Sequence, residues 1–237
     1  MNLAEKIKEL HASKYKFVIV SSGGGSNAIA SLLKVPGASN TVLEAYIPYA
    51  KESLDFYLMK KPDFYASKDT SLRMAARAYS AAKKIDQESS LNHLLGVSIT
   101  ASLSTTYEKR GDHKFHIALQ TRDFSKSISC KLEKGQRTRE EEEELVTAFV
   151  VNLLAECSEL EYDYPKIPEE VVFDEVKAEK GWAELMSNKI NYVLSEDASP
   201  ELIFPGAFYP YHDGHKAMKD LACLLYTSPS PRDLARS

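Results

Sequence analysis

The stretch KFVIVSSGGGSNAIASLLKVPGAS, residues 16–39, limits the fold of this chain more than any other. A β-branched run flows into three consecutive glycines, then into a short helical pattern closed by a Pro-Gly turn. Strand, glycine loop and helix in that order make an α/β opening. The segments that follow keep the same class. TVLEAYIPY reads as a second strand. SKDTSLRMAARAYSAAKKI reads as a helix that Asp69 or Thr70 can cap, with Leu72, Ala75, Ala76 and Tyr79 on one face. LLGVSITASL and KFHIALQT supply two more strands. The run from Thr138 to Leu160 is a long helix, with Thr138 and Glu141 in capping-box spacing. Its glutamates, Glu140 to Glu144, sit at the positive end of the helix and read as a solvated start.

At 237 residues and 43% hydrophobic composition, the chain can bury one sizeable core and part of a second. A net charge of -4 gives no basic surface of the kind that grips a phosphate backbone, so nucleic acid is not an expected partner. No apolar run reaches the ~20 residues that cross a bilayer. The amino terminus, MNLAEKIKELHASKYKF, is a charged amphipathic helix without a signal core, which points to the cytoplasm and leaves an organelle open. Cys130, Cys157 and Cys223 never fall in CxxC spacing and read as free thiols, with no cysteine metal site.

YDYPKIPEEVV, with two prolines among charges, marks a boundary between units. The expected organisation is a first domain over 1–163, a linker and helix over 164–198, and the start of a second domain over 199–222. The last segment, CLLYTSPSPRDLARS over 223–237, resembles a translated sequencing adapter, so the second domain is expected to be cut short. A chain so truncated is expected to be inactive in the chemistry of that domain.

Two places could carry chemistry. The first is FPGAFYPYHDGHKAM, residues 204–218. A strand ending in Pro205-Gly206-Ala207-Phe208 lets backbone amides approach phosphate oxygens closely. His212 and His215, on either side of Gly214, can sit at a helix start, where the dipole and free N–H groups favour anions. Imidazoles there can donate to phosphoryl oxygens as charge builds on them. This pattern resembles the first signature of the HxGH nucleotidylyltransferase superfamily. The resemblance implies that Gly206, Ala207, Phe208 and Gly214 line the nucleotide phosphates and that His212 and His215 stabilise the nucleotidyl group in transfer. It also implies a nucleoside triphosphate with Mg2+ and a small phosphorylated acceptor. Ala207 stands where the superfamily has a hydroxyl residue.

The second place is the loop Ser21, Ser22, Gly23, Gly24, Gly25, Ser26 and Asn27. Read from its residues alone, it is either a structural tight turn or an anion nest beside serine hydroxyls. It lacks the Gly-Lys-Ser/Thr of a Walker loop and the dinucleotide pattern. Residues 5–160 are similar to the CinA carboxy-terminal domain family, whose characterised members deamidate nicotinamide mononucleotide; VPGAS, Val35 to Ser39, is the best-matching piece. That resemblance implies a three-layer α/β domain and a serine nucleophile at Ser21 or Ser22, with Tyr49 as a proton-transfer partner. The family's lysine falls on Leu54, and leucine cannot take a proton; Lys51 lies two positions from Tyr49 rather than five. His113 and His116 read as structural rather than as metal ligands.

The sequence therefore implies a CinA-like α/β domain followed by the first β-loop-α unit of a Rossmann-like nucleotidylyltransferase domain. Adenylyl transfer to nicotinate or nicotinamide mononucleotide is the specific expectation. The alternatives are an amidohydrolase acting through Ser21 and a non-catalytic ligand-binding or assembly module, with homo-oligomers open.

Overall fold

The computed structural model describes residues 2–107, 109–186, 190 and 213–227. The chain divides into two units, residues 1–193 and 194–237. The first is a six-stranded sheet in the order β2-β1-β3-β4-β5-β6. Its strands are β1 (Lys16–Gly23), β2 (Val42–Tyr46), β3 (Leu94–Ser102), β4 (His113–Gln120), β5 (Phe124–Leu132) and β6 (Val171–Lys177). β2, β1 and β3 run parallel, while β4, β5 and β6 are added antiparallel.

β1 lies inside the parallel half, and its alternation feeds two cores at once. Phe17 and Ile19 join one buried cluster, with residues of α1 (Leu3–His11), α2 (Ser26–Lys34) and α5 (Arg139–Cys157). Val18 and Val20 join the other, under α3 (Lys51–Leu58) and α4 (Lys68–Ile85). The result is a helix-sheet-helix sandwich. α4 lies directly on β3 because Gly96 has no side chain: a Cβ there would meet the Tyr79 amide nitrogen at 2.1 Å. Two β3 hydroxyls complete that contact, Ser98 Oγ donating to the Ser71 carbonyl at 2.6 Å and Thr100 Oγ1 to the Tyr65 carbonyl at 2.8 Å.

Several expectations need correction. Ser67, not Asp69 or Thr70, caps α4, its hydroxyl accepting from the Thr70 amide; Thr70 turns inward instead, its own hydroxyl donating to the Phe64 carbonyl. The capping box of Thr138 and Glu141 forms as read. β5 went unread because serines alternate with its apolar residues and Lys126 interrupts the two-residue period of Phe124, Ile128, Cys130 and Leu132. Within 164–198, expected as linker and helix, residues 171–177 are β6, a full partner of β5, and α6 (Lys180–Met186) follows. The prolines before β6 break the chain without ending the sheet. Arg137 forks onto Glu169 just ahead of β6, and Lys68 reaches Asp174 within it at 2.8 Å.

Cys130 and Cys157 are buried free thiols, with burial pushing their pKa up to about 11 and about 12, so neither offers a thiolate at neutral pH. Among the described residues no helix is long and apolar enough to cross a membrane. In the second unit, α7 spans Asp213–Thr227. It continues through Cys223, past the expected stop at Ala222, since Cys, Leu and Tyr are all tolerated in a helix.

Candidate functional site

β1 ends at the glycine loop, where Ser21, Ser22, Gly24, Gly25 and Asn27 each hydrogen-bond within the domain. Gly25 caps α2 in the left-handed region, at φ +95, where a Cβ would lie 2.4 Å from Ile99 Cγ2. The Gly24 amide donates to the Ala101 carbonyl at 3.1 Å, pinning the loop to β3. Ser21 is fully buried and its hydroxyl donates to the Gly24 carbonyl at 3.2 Å. Ser22 Oγ donates to the Pro48 carbonyl at 2.9 Å, which draws the segment before α3 against the loop.

The amides that open α2 do form an anion-holding nest, and the anion is Glu143 of α5. Its Oε2 accepts from the Gly25 amide at 2.9 Å and from the Asn27 amide at 3.4 Å, while Arg139 holds Oε1 at 2.8 Å. The carboxylate thus occupies the positive end of the helix, where a phosphate is expected to bind. Asn27 is held further by Nδ2 donating to Thr147 Oγ1 at 3.2 Å, and exposed Ser26 lines an open cleft with Lys34, Glu140 and Glu144.

The neighbouring Glu142 is 0% exposed and bridges two strand ends. It accepts from the Ser104 amide at 2.6 Å and from His113 Nδ1 at 2.9 Å. The reading of the acidic run as a solvated start is therefore wrong for Glu142 and Glu143. The signal was present: position 142 continues the buried spacing of Val146, Phe149 and Val150 backwards by one turn. Arg139 also donates to the Ser104 carbonyl at 3.2 Å, and Lys109 Nζ to the Leu103 carbonyl at 2.8 Å; burial and the nearby Arg139 lower the Lys109 pKa.

The Ser22 bond to Pro48 brings the backbone next to Tyr49 against the loop, and among the described residues neither serine hydroxyl is hydrogen-bonded to Tyr49 or to a lysine. Tyr49, 70% exposed, precedes α3. Leu54 is buried among Val18, Val20 and Met74, packed as core where the resemblance calls for a base. Lys51 lies over the Tyr65 ring at 5.6 Å. His113 and His116, three apart on a strand, point to opposite faces of the sheet. His116 Nδ1 pairs with Ser129 Oγ at 2.8 Å, and burial, with Lys114 adding, lowers its pKa to about 4.

In the carboxy-terminal motif, α7 begins at Asp213, so Gly214 and His215 fall in its first turn. Gly206, Ala207, Phe208 and His212 lie outside the described residues.

The architecture matches solved structures over most of their length. Competence/damage inducible protein CihA from Agrobacterium tumefaciens aligns at TM-score 0.51 and 14% identity, over 65% of this chain and 94% of that one. A competence or damage-inducible protein from Enterobacter asburiae aligns at 0.51 and 14%, over 66% and 96%. A CinA superfamily protein from Enterobacter cloacae aligns at 0.50 and 14%, over 65% and 93%. The fold is CinA-like. At this identity the likeness establishes the fold alone, and no family model and no curated protein matches the chain.

Proposed function

We propose that the CinA-like domain is a non-hydrolytic module joined to a nucleotidylyltransferase, and that group transfer at the carboxy-terminal motif is the chemistry of the protein. The observation that carries the first half is the Glu143 carboxylate seated on the Gly25 and Asn27 amides. A phosphate approaching that nest finds its amides already taken by a carboxylate that Arg139 holds in place. The serines beside it donate to carbonyls, which cannot take a proton, and Leu54 is core. Among the described residues no base is hydrogen-bonded to Ser21 or Ser22, which counts against deamidation of a nicotinamide nucleotide.

The second half rests on sequence, with the start of α7 at Asp213 in its favour. A first-turn His215 is well placed to donate to a phosphoryl oxygen as nucleotidyl transfer breaks the α–β phosphoanhydride and releases pyrophosphate. The acceptor's own phosphate oxygen forms the new bond, and a nicotinate or nicotinamide mononucleotide fits that class. Mg2+ belongs to this reading as part of the triphosphate substrate.

The test runs two assays in parallel on the full-length protein. Pyrophosphate release from ATP with a mononucleotide acceptor should fall at least ~100-fold on His215→Ala, the scale of a lost transition-state donor. Ammonia release from nicotinamide mononucleotide should be absent. Turnover that Ser21→Ala abolishes overturns the non-hydrolytic reading, and pyrophosphate release indifferent to His215→Ala overturns the transferase reading.

A further inference from the structure

At the parallel edge of the sheet, large apolar side chains stand uncovered. Phe56 is 87% exposed and Met59, at the end of α3, is 79% exposed; Ile47 and Ile85 are exposed beside them. They border a groove of about 780 Å³ between β2, α3 and α4. Half-buried Tyr46 and Tyr57 line it, their ring centroids 5.5 Å apart. Glu44 lies on the β2 side, and Arg77 and Lys84 lie two turns apart on α4. The Arg77 guanidinium sits over the Tyr57 ring at 5.4 Å, and neither it nor Lys84 is ion-paired among the described residues. Glu44 is hydrogen-bonded to the Tyr46 hydroxyl, whose pKa that bond raises. An exposed apolar patch rimmed by charges of both signs is the kind of surface that meets another molecule.

We propose that this groove is a homodimer interface, with two copies meeting across a two-fold axis. Such a contact requires one patch to hold both halves of every complementarity, because each residue meets its opposite number's neighbour. This patch does so twice. Phe56 and Met59 supply the projection and the groove beside them supplies the recess. Glu44 supplies the negative charge and Arg77 with Lys84 the positive, so that Glu44 of each copy faces the basic pair of the other. A wholly acidic partner has no use for Glu44, and a small ligand in the groove leaves Phe56 in water. Among the described residues β2 is also the edge of the sheet. The inference is independent of how the glycine loop is read.

Light scattering on the full chain at about 50 μM, enough to populate an interface of ordinary affinity, should give twice the 26.5 kDa chain mass. Phe56→Asp should return a monomer that still unfolds in one cooperative transition, lowered only by the lost association and no longer dependent on protein concentration, since that side chain is 87% exposed in one copy. Glu44→Arg and Arg77→Glu should each weaken association at least ~10-fold, and the two together should restore it. A monomeric wild type, or a dimer that survives Phe56→Asp, overturns the proposal. A double variant no stronger than the singles overturns the two-fold pairing.

Discussion

The Glu143 carboxylate accepts the Gly25 amide at 2.9 Å, so the domain fills its own anion nest with a side chain from a helix more than a hundred residues away in sequence. Charge-assisted bonds of this kind stabilise by about 1.5–3 kcal/mol. Glu143→Ala should cost about that much by denaturant titration and should leave the α2 amides open. Inorganic phosphate should then raise the melting temperature of the variant and leave the wild type unmoved. Equal stabilisation of both proteins contradicts a nest held shut by Glu143.

Leu54 decides whether hydrolysis could be restored by one substitution. Leu54→Lys places an ammonium in a cluster of Val18, Val20 and Met74. Burial of an unpaired charge should destabilise by about 3 kcal/mol or more, and the expected outcome is a lower unfolding midpoint with no amidase activity. Ammonia release from nicotinamide mononucleotide by a stably folded Leu54→Lys protein is the contrary result.

β6 should be needed for a stable domain. A chain ending at residue 163 loses the whole ladder to β5 and the fork of Arg137 on Glu169, whose carboxyl that guanidinium holds down at a pKa of about 2. Compared with a chain ending at 178, it should unfold at lower denaturant and expose Phe124 and Ile128 on an unpaired edge. Identical midpoints for the two lengths make β6 an ornament.

His116 gives the domain a pH dependence with a definite sign. Its folded pKa, about 4, lies below the ordinary 6.5, so the native state keeps the ring neutral while the unfolded chain takes up a proton. The associated stability is complete above pH 6.5 and is lost as pH falls toward 4. A shift of this size is worth about 3 kcal/mol for a sealed group, and about half of that for a ring still partly open to water. His116→Gln should flatten that part of the stability curve; an unchanged slope assigns the acid sensitivity elsewhere.

The parts of this fold that the sequence announces are those where chemistry and periodicity agree. FVIV followed by three glycines can only be a buried strand meeting a turn, and Thr138 with Glu141 can only be a helix start. What stays hidden depends on the far side of a contact. Glu142 and Glu143 sit in a run of five acids whose outer members are solvated, and only the backbone bringing Ser104 and Gly25 to them separates the inward pair from the rest. β5 is obscured by its alternating serines and by Lys126, and β6 by the prolines that precede it. Leu54 was legible as the wrong residue for a base, though not as part of the core. In the carboxy-terminal motif, α7 begins at Asp213 and has His215 in its first turn, where the sequence reading expects a helix start; His212 lies outside the described residues.

The parallel register of β1 and β3 sets the order of events on the ribosome. Lys16 pairs with Leu94 and Gly23 with Ala101, so the first strand leaves the exit tunnel long before its inner partner exists. At about 5–20 residues per second, several seconds pass with the apolar FVIV segment lacking that neighbour. β2 alone is available early, and a two-stranded parallel pair is a weak shelter. Besides α2, the charged α1, which precedes β1 and later covers it, is made before that partner and can shield it during the wait. Weakening the apolar face of that helix at Ile7 or Leu10 should therefore lower the yield of folded protein during synthesis more than it lowers the stability of protein already folded.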